Sequence, residues 1–290
     1  LLGSEQAFRT AFRKPIERNE DSDRAGALAR RLAPFMLRRT KAGVAPELPP
    51  RTEILHTVAL SAHQARVYER VREEMDKRLR ALLRDSSVDD ARVEVLTALL
   101  RLRQVCCDPR LMGEPGDDES SSKFELLLEL VPSMLEAGHR ILLFSQFTSM
   151  LDLIANAFTR LNIDFLMLTG ATRDRQALID RFQAGEVPVF LVSLKAGGTG
   201  LNLTAADTVI HYDPWWNPAV QEQASDRAHR IGQRQPVFIH KLLTEGTVEQ
   251  RINDLQATKQ RLADGLFEGR SRSGLEWTTE QLDALLAPVG

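Results

Sequence analysis

Arg227 and Arg230, three residues apart, form the pair of side chains whose spacing most suggests chemistry. Gln223 lies one turn before Arg227, so on a helix all three side chains would share one face. Two guanidinium groups on one face repel each other, and folding alone gives little reason to align them. An incoming anion such as a nucleotide triphosphate would give a reason. The alternative is a solvated amphipathic helix with surface arginines.

A glycine-rich stretch over residues 195–202 is the second candidate anion site. Its glycines let the backbone approach an anion closely and present several N–H groups. Thr199 adds a hydroxyl donor and Lys195 a positive charge, so the stretch suits a phosphate of a nucleotide or of DNA. The spacing fits neither a Walker A loop nor a dinucleotide fingerprint. A turn that merely requires glycine remains the alternative.

Polar or aromatic residues also follow three other apolar stretches. Ser145 and Gln146 could donate to a phosphate or a base edge, and the 169–172 turn could bind an anion at a helix start. Trp215 and Trp216 could pack in the core or stack on a ligand, and we expect one to be packed and the other exposed. Each of these features also has an ordinary structural explanation. No serine-hydrolase elbow, zinc-protease motif or cysteine–histidine signature occurs.

The elements that position these residues alternate regularly after residue 122. Near-continuous apolar strands separated by amphipathic helices predict a parallel sheet covered on both faces. Ligands of such sheets bind at the carboxyl ends of the strands, so the four loops above would share one edge. The predicted strands are 140–144, 165–168, 187–194, 208–212 and 237–243, with a further strand at 52–60.

The first third of the chain reads as helical. Residues 61–84 and 90–105 predict a helical hairpin, and residues 113–122 are rich in glycine, proline and serine, as flexible linkers are. Capping-box patterns at 61–64, 122–125 and 247–250 predict three helix starts.

Composition limits the class of protein. The 290 residues are 43% hydrophobic and 27% charged, as in globular proteins, and the net charge of −2 gives no global signature of nucleic-acid binding. No apolar run is long enough for a membrane helix, and we expect no membrane partner. The start at Leu1 reads as a piece cut from a longer chain, without a signal peptide. Adjacent Cys106 and Cys107 predict reduced thiols in a cytoplasmic protein.

Six segments resemble the motifs of the Swi/Snf-type ATPases in helicase superfamily two. Asp226–Gln233 is similar to motif VI and Ser193–Leu203 to motif V of that family. Cys107-Asp108 departs mildly from the family, which often has Asn and His near these positions. The other matching segments are Ile141–Phe147 (motif IV), Leu168–Thr172, Pro34–Lys41 and Leu102–Pro109.

The resemblance implies the second RecA-like lobe of an ATP-driven motor on double-stranded DNA, an α/β fold with an N-terminal helical insertion. Arg227 and Arg230 would be arginine fingers, oriented by Gln223 and Asp226. Residues that would couple the nucleotide to DNA are Gly198, Gly200 and Ser193. Residues that would contact DNA are Ser145, Gln146, Gly170, Lys195, Thr199, Asn202 and Trp216.

The resemblance also implies what this chain lacks. It contains no Walker A loop and no Asp-Glu metal-binding box, so ATP and Mg²⁺ would be held mainly by the first lobe. We therefore expect the chain alone not to hydrolyse ATP appreciably. The implied division is 1–59 (end of the first lobe and its protrusion), 60–112 (helical protrusion), 113–122 (linker), 123–266 (RecA-like lobe) and 267–290 (bracing tail).

The expected partners are duplex DNA and the N-terminal RecA-like lobe of the same protein, in the nucleoid, with a DNA-bound protein target as a further candidate. One alternative is a motor that displaces RNA polymerase, and another is a non-catalytic nucleic-acid-binding module. A dinucleotide-binding oxidoreductase shares the sheet class but lacks support, because its glycine fingerprint and acidic ribose partner are missing.

Overall fold

The computed structural model describes residues 4–13, 15, 22–32, 48–83, 92–116, 121–194, 196, 201–215, 217–254 and 287–288. The chain forms two compact units. Residues 1–46 and 253–278 make up the first, and residues 47–252 and 279–290 make up the second. Each unit is described by itself. None of the described helices is both long enough and apolar enough to span a bilayer.

The second unit is built on a six-stranded sheet in which every strand pair is parallel. The strand order is β1-β6-β5-β2-β4-β3, which confirms the predicted RecA-like α/β architecture. The strands are β1 (Arg51–Val58), β2 (Ile141–Ser145), β3 (Phe165–Leu168), β4 (Val189–Ser193), β5 (Thr208–His211) and β6 (Val237–Thr244).

The central strands are apolar because both faces of the sheet are covered. In β2, Leu142 and Phe144 enter one core cluster, whereas Ile141 and Leu143 enter the cluster on the opposite face. Alternate residues of a strand point to opposite faces, so an unbroken apolar run fills both layers. The helices are α1 (Glu5–Phe8), α2 (Ser22–Leu32), α3 (Ala62–Leu83), α4 (Arg92–Cys107), α5 (Ser122–Glu136), α6 (Thr148–Arg160), α7 (Arg175–Ala184), α8 (Pro218–Ser225) and α9 (248–254).

Strand β1 belongs to this sheet, whereas the family resemblance implied that residues 1–59 end the first lobe. Its eight residues pair in register with β6, from Arg51 opposite Val237 to Val58 opposite Thr244. The compact unit accordingly begins at Glu47. The prediction of a strand does not identify the strand that pairs with it. Because β1 and β6 lie near opposite ends of this unit in the sequence, local sequence could not reveal their pairing.

Two local predictions need correction. Helix α5 has Ser121 as its N-cap, one residue earlier than predicted, with the Ser121 hydroxyl accepting from the Phe124 N–H at 3.4 Å. Ser121 also donates to the Cys107 carbonyl, a contact that the capping pattern does not contain. In α6, the apolar spacing of 147, 150, 151, 154, 158 and 161 predicts one shared face, but Leu161 is 48% exposed, because the helix ends at Arg160.

The predicted helical hairpin is formed by α3 and α4, and it is joined to the sheet through buried polar contacts. The Ser61 hydroxyl caps α3 through the Gln64 N–H, while the Gln64 amide donates to the carbonyls of Val105 and Cys106. At the start of α5, Lys123 pairs with Glu249 at 2.7 Å, and both side chains are fully buried. The Tyr212 hydroxyl, one residue after β5, donates to the Cys107 carbonyl at 2.9 Å and so fixes the end of α4 against the sheet.

The first unit contains α1, a π-helical turn (Arg9–Arg13) and α2. Phe12 is buried and packs with Phe8, Ala27 and Leu28. The basic cluster at 38–41, the middle of the predicted linker (117–120) and the bracing tail apart from residues 287–288 lie outside the described residues.

Candidate functional site

The predicted site begins where the central strands end. Ser145 closes β2 and Ser193 closes the neighbouring β4, and their backbones pair in register. The Leu194 N–H donates to the Ser145 carbonyl, and the Ser193 hydroxyl accepts from the Ala196 N–H at 3.3 Å. The carboxyl ends of β2 and β4 therefore lie side by side, as the sequence predicted, and Ser193 shapes the entry to the glycine-rich loop.

A cluster centred on the fully buried Arg103 and Asp213 joins the loops that follow β2 and β5. The Asp213 carboxylate accepts from the Ser145 hydroxyl at 2.6 Å and from the Gln146 N–H at 3.2 Å. Arg103 of α4 donates to the same carboxylate at 3.3 Å and to the Pro214 carbonyl. It also donates to the Gln146 side-chain oxygen at 2.8 Å. The pKa of Asp213 is raised because burial disfavours its charge, although Arg103 opposes that effect.

The burial of Ser145 changes its expected part in the site. Its side chain is fully buried and already bonded to Asp213, so this geometry gives it a positioning role in place of the predicted DNA contact. Gln146 lies at the same strand end and is only partly buried. Its side-chain nitrogen has no hydrogen-bond acceptor among the described residues, so one donor of this amide is unsatisfied.

The arginine segment does not form the single helix that its spacing predicted. Helix α8 starts with Asn217 as N-cap and Pro218 in its first turn, and it ends at Ser225, before Arg227. The Arg227 carbonyl accepts from the Leu203 N–H at 3.0 Å, and the chain reverses at Gly232, whose φ is 105°. This tertiary bond takes a carbonyl that a longer helix would need, so the shared face with Gln223 does not exist.

The two arginines differ sharply in their surroundings. Arg227 is 5% exposed, whereas Arg230 is exposed. The Arg227 Nη1 donates to the Leu201 carbonyl at 3.4 Å, but Nε and Nη2 are buried and have no acceptor among the described residues. Burial lowers the pKa of Arg227, and the charge of Arg230 lowers it further. Arg227 is thus a buried cation whose hydrogen bonding is incomplete among the described residues.

Buried hydrogen bonds hold the arginine segment against the exit of the glycine-rich loop. The Gln233 amide donates to the carbonyls of Thr204, Ala206 and Ala228, and its oxygen accepts from two backbone N–H groups. Together with the bonds from Arg227 to Leu201 and Leu203, these contacts tie the two predicted motifs into one structure.

An ion-pair cluster from the edge strand borders the same segment. Arg51 of β1 bonds both carboxylate oxygens of Glu222, one of them at 2.6 Å, and lies 3.8 Å from Asp226. Asp226 also acts on Arg227, since its charge raises the pKa that burial lowers. This arrangement is compatible with the predicted orienting role of Asp226, which remains a prediction. Gln223 is exposed.

The remaining predicted residues divide by location. Gly170 and Asn202 are exposed, Gly170 in the loop after β3 and Asn202 in the connection between β4 and β5. Trp215 is partly buried and packs against the core, as expected for one of the two tryptophans. Predicted site residues that lie outside the described residues are Lys195, Gly198, Thr199, Gly200 and Trp216.

Sequence reasoning missed three residues that organise the site, namely Arg103, Asp213 and Arg51. Arg103 lay within a segment quoted for the resemblance, but its basic side chain gave no sign of being buried. Their partners are 43–171 residues away in the chain, so no local pattern could identify them. Among the described residues, no group of three or more His, Cys, Asp or Glu side chains could hold a metal ion.

Two family models match the chain. The SNF2-related domain matches residues 1–111, and the helicase conserved C-terminal domain matches residues 122–232. YwqA of Bacillus subtilis (strain 168), a candidate ATP-dependent helicase/translocase, is 38% identical over 288 residues, 96% of this chain and 30% of YwqA. The ISWI chromatin-remodeling complex ATPase ISW1 of Saccharomyces cerevisiae is 34% identical over 275 residues, 89% of this chain and 24% of ISW1. The chain spans less than a third of these relatives.

Solved structures agree with this relationship. The Sulfolobus solfataricus SWI2/SNF2 ATPase core in complex with double-stranded DNA is 30% identical, with a TM-score of 0.68 over 99% of this chain and 61% of that chain. The C-terminal domain of the S. solfataricus SWI2/SNF2 ATPase is 29% identical, with a TM-score of 0.66 over 82% of this chain and 99% of that domain.

Proposed function

Because this chain belongs to the Swi/Snf-type ATPases of helicase superfamily two, we propose that it is the second motor lobe of an ATP-driven translocase on double-stranded DNA. In this proposal Arg227 and Arg230 act on the phosphates of an ATP that the first lobe holds together with Mg²⁺. The loops at the carboxyl edge of the sheet contact the DNA backbone. Such contacts are independent of base sequence and weaken with salt.

The burial and the missing hydrogen-bond acceptors of Arg227 are the observation that supports the proposal most strongly. The residue is 5% exposed, and two of the three guanidinium nitrogens are buried and have no acceptor among the described residues. An unsatisfied buried donor costs roughly 1–3 kcal/mol, more when it is charged, so a chain that only had to fold would gain by replacing it. A phosphate oxygen from outside the chain would supply the missing acceptors, and an arginine so placed can accelerate phosphoryl transfer by roughly 10³–10⁵.

The link between the arginine segment and the glycine-rich loop supports coupling of ATP to DNA. Gln233 and the Arg227 backbone bind residues 201–206, which follow that loop directly. In the proposal, Ser193, Gly198 and Gly200 carry the nucleotide-dependent movement. Lys195, Thr199 and Asn202, with Gln146, Gly170 and Trp216, contact DNA. The Gln146 donor that has no acceptor among the described residues suits a phosphate oxygen.

Duplex-stimulated ATP hydrolysis by a full-length protein that includes this chain tests the proposal. We expect naked duplex to stimulate turnover, and the double variant Arg227→Ala/Arg230→Ala to lose it by roughly 10³ or more while still binding ATP. Arg234→Ala, an exposed arginine of the same segment, is the matched control. Surviving turnover in the double variant would disprove the arginine-finger assignment. Stimulation only by a protein partner would favour a polymerase-displacing motor.

The isolated 290-residue chain provides a second test. We propose that it does not hydrolyse ATP appreciably, because the Walker A lysine and the Asp-Glu metal-binding box are not in its sequence. Turnover by the purified chain at the rate of the full-length protein would contradict this proposal. A location at the nucleoid follows from the proposed DNA partner.

A further inference from the structure

Arg103 lies outside every element proposed to touch the nucleotide, yet it reaches the strand ends where DNA is proposed to bind. It belongs to the last turns of α4, in the helical insertion, and is fully buried. Its two terminal nitrogens donate to the Gln146 side-chain oxygen, the Asp213 carboxylate and the Pro214 carbonyl. One side chain of the insertion therefore holds two loops of the sheet.

The two loops that Arg103 joins follow neighbouring strands. Gln146 comes directly after β2, and residues 213–214 come two residues after β5, which pairs with β2. Asp213 closes the arrangement because it also accepts from the Ser145 hydroxyl and the Gln146 N–H. The position of Gln146 is thus fixed through both its backbone and its side chain, and Arg103 provides the side-chain bond.

Stability alone does not explain this arrangement. A buried arginine–carboxylate pair contributes little to stability, because removing two charges from water offsets much of their attraction, and apolar side chains often serve as well. A guanidinium instead provides a planar fork that fixes several acceptors in one geometry, which a lysine cannot do. The arrangement is suited to setting the orientation of Gln146 and of the segment that begins at Pro214.

We infer that Arg103 is a positioning residue through which the helical insertion sets the geometry of the DNA-facing loops after β2 and β5. This inference rests on the proposed binding of duplex DNA. Loss of the fork frees the Gln146 amide and the Pro214 segment, so DNA engagement weakens. The ATP phosphates are expected on the arginine segment, whereas Arg103 bonds the loops after β2 and β5, so ATP binding is affected much less.

Steady-state ATPase titrations of a full-length protein that includes this chain test the inference. For Arg103→Lys, the duplex DNA concentration giving half-maximal stimulation should rise about tenfold, as for loss of one hydrogen bond to a charged group. The KM for ATP should change by less than about twofold. Arg101→Met, on the same helix and 39% exposed, should match the parent protein in both constants.

A double variant that removes the charges of both Arg103 and Asp213 distinguishes an effect on loop position from an effect on folding. Arg103→Met can leave Asp213 buried without its cation, so the double variant Arg103→Met/Asp213→Asn is measured alongside it. With thermal stability near that of the parent, this variant should still need more DNA for half-maximal stimulation. A normal DNA requirement in a folded variant, or an equal rise in the KM for ATP, would overturn the inference alone. A parent protein that duplex does not stimulate would overturn the proposed function and this inference together.

Discussion

Two buried arginines of this chain have opposite surroundings. Arg103 is fully buried, and three acceptors from two neighbouring loops surround its guanidinium. Arg227 is 5% exposed, and its only hydrogen bond from the side chain to a described residue is 3.4 Å long. Both terminal nitrogens of Arg103 have acceptors and only its Nε has none among the described residues, whereas Arg227 lacks acceptors there for both Nε and Nη2. A buried terminal nitrogen without an acceptor indicates a partner from outside, whereas terminal nitrogens that both have acceptors indicate internal positioning.

Replacing Arg103 should have the largest effect on stability. Arg103→Met leaves the Asp213 carboxylate buried without its cation, so the free energy of unfolding should fall by about 3–5 kcal/mol. Urea denaturation of the chain, followed by circular dichroism, measures this loss. Arg101→Met on the same helix should stay within about 0.5 kcal/mol of the parent. Equal stability of the two variants would show that the Arg103 contacts do not bear on folding.

His211 is a buried ionisable group that, unlike Arg227, is able to lose its charge. His211 ends β5, is 1% exposed and hydrogen-bonds the Ser225 hydroxyl at 2.8 Å. Burial lowers its pKa to about 3, with Lys241 and Arg51 adding to the effect and Glu53 opposing it. His211 is therefore neutral in the fold. An arginine cannot lose its proton in this way, so Arg227 stays charged.

The burial of neutral His211 predicts that the folded state loses stability in acid, by less than the loss expected for Arg103→Met. The pKa of His211 rises to about 6.5 on unfolding, so the unfolded chain binds more protons below that pH and stability falls as the pH falls. The free energy of unfolding should drop by on the order of 2 kcal/mol between pH 7 and pH 5 through His211. His211→Gln should reduce this drop, leaving the share of His240, whose pKa burial lowers to about 4.

Urea unfolding at both pH values measures this effect. Asn156→Ala, at an exposed non-ionisable residue of α6, is the control and should retain the drop of the parent. A His211→Gln variant with the same pH dependence as the parent would mean that His211 is not held neutral by its burial.

Replacing Arg227 should change the free energy of unfolding least, and in the direction opposite to the change at Arg103. Arg227→Met removes a buried cation with incomplete hydrogen bonding, so the free energy of unfolding should rise by about 1 kcal/mol. The same urea experiment compares Arg227→Met with Arg103→Met, the identical substitution at the arginine whose terminal nitrogens have acceptors. A loss of stability similar to that of Arg103→Met would show that Arg227 has acceptors within the chain, and the contrast between the two sites would disappear.

The sequence predicted the parts of the fold that local patterns determine. The strand 165–168 was predicted with the bounds that the structure has, because buried parallel strands read as apolar runs between turns. The clustering of the β2 and β4 ends followed from the rule for parallel sheets. The end of α8 at Ser225 could not be predicted, because the Arg227 carbonyl bonds Leu203, which lies 24 residues earlier in the chain. Long-range partners of this kind leave no local pattern.

The same limit applied to the candidate site. Arg227 was identified from its spacing to Arg230, although the helix assumed for that spacing does not extend to either residue. The role of Arg103 was not identified, because its acceptors lie 43 and 110 residues later in the chain. Residue types on a short stretch therefore indicated where an external anion would bind, but not which side chains hold the loops in place.

The rate of ATP hydrolysis by Arg227→Met in a full-length protein tests the central claim most directly. The account predicts that duplex-stimulated turnover at saturating ATP falls by roughly 10³ or more, although the substitution does not destabilise the fold. Arg234→Met, exposed on the same segment, should keep turnover within about twofold of the parent. Turnover by Arg227→Met within about tenfold of the parent would contradict the claim that this buried arginine is kept for the phosphates of ATP.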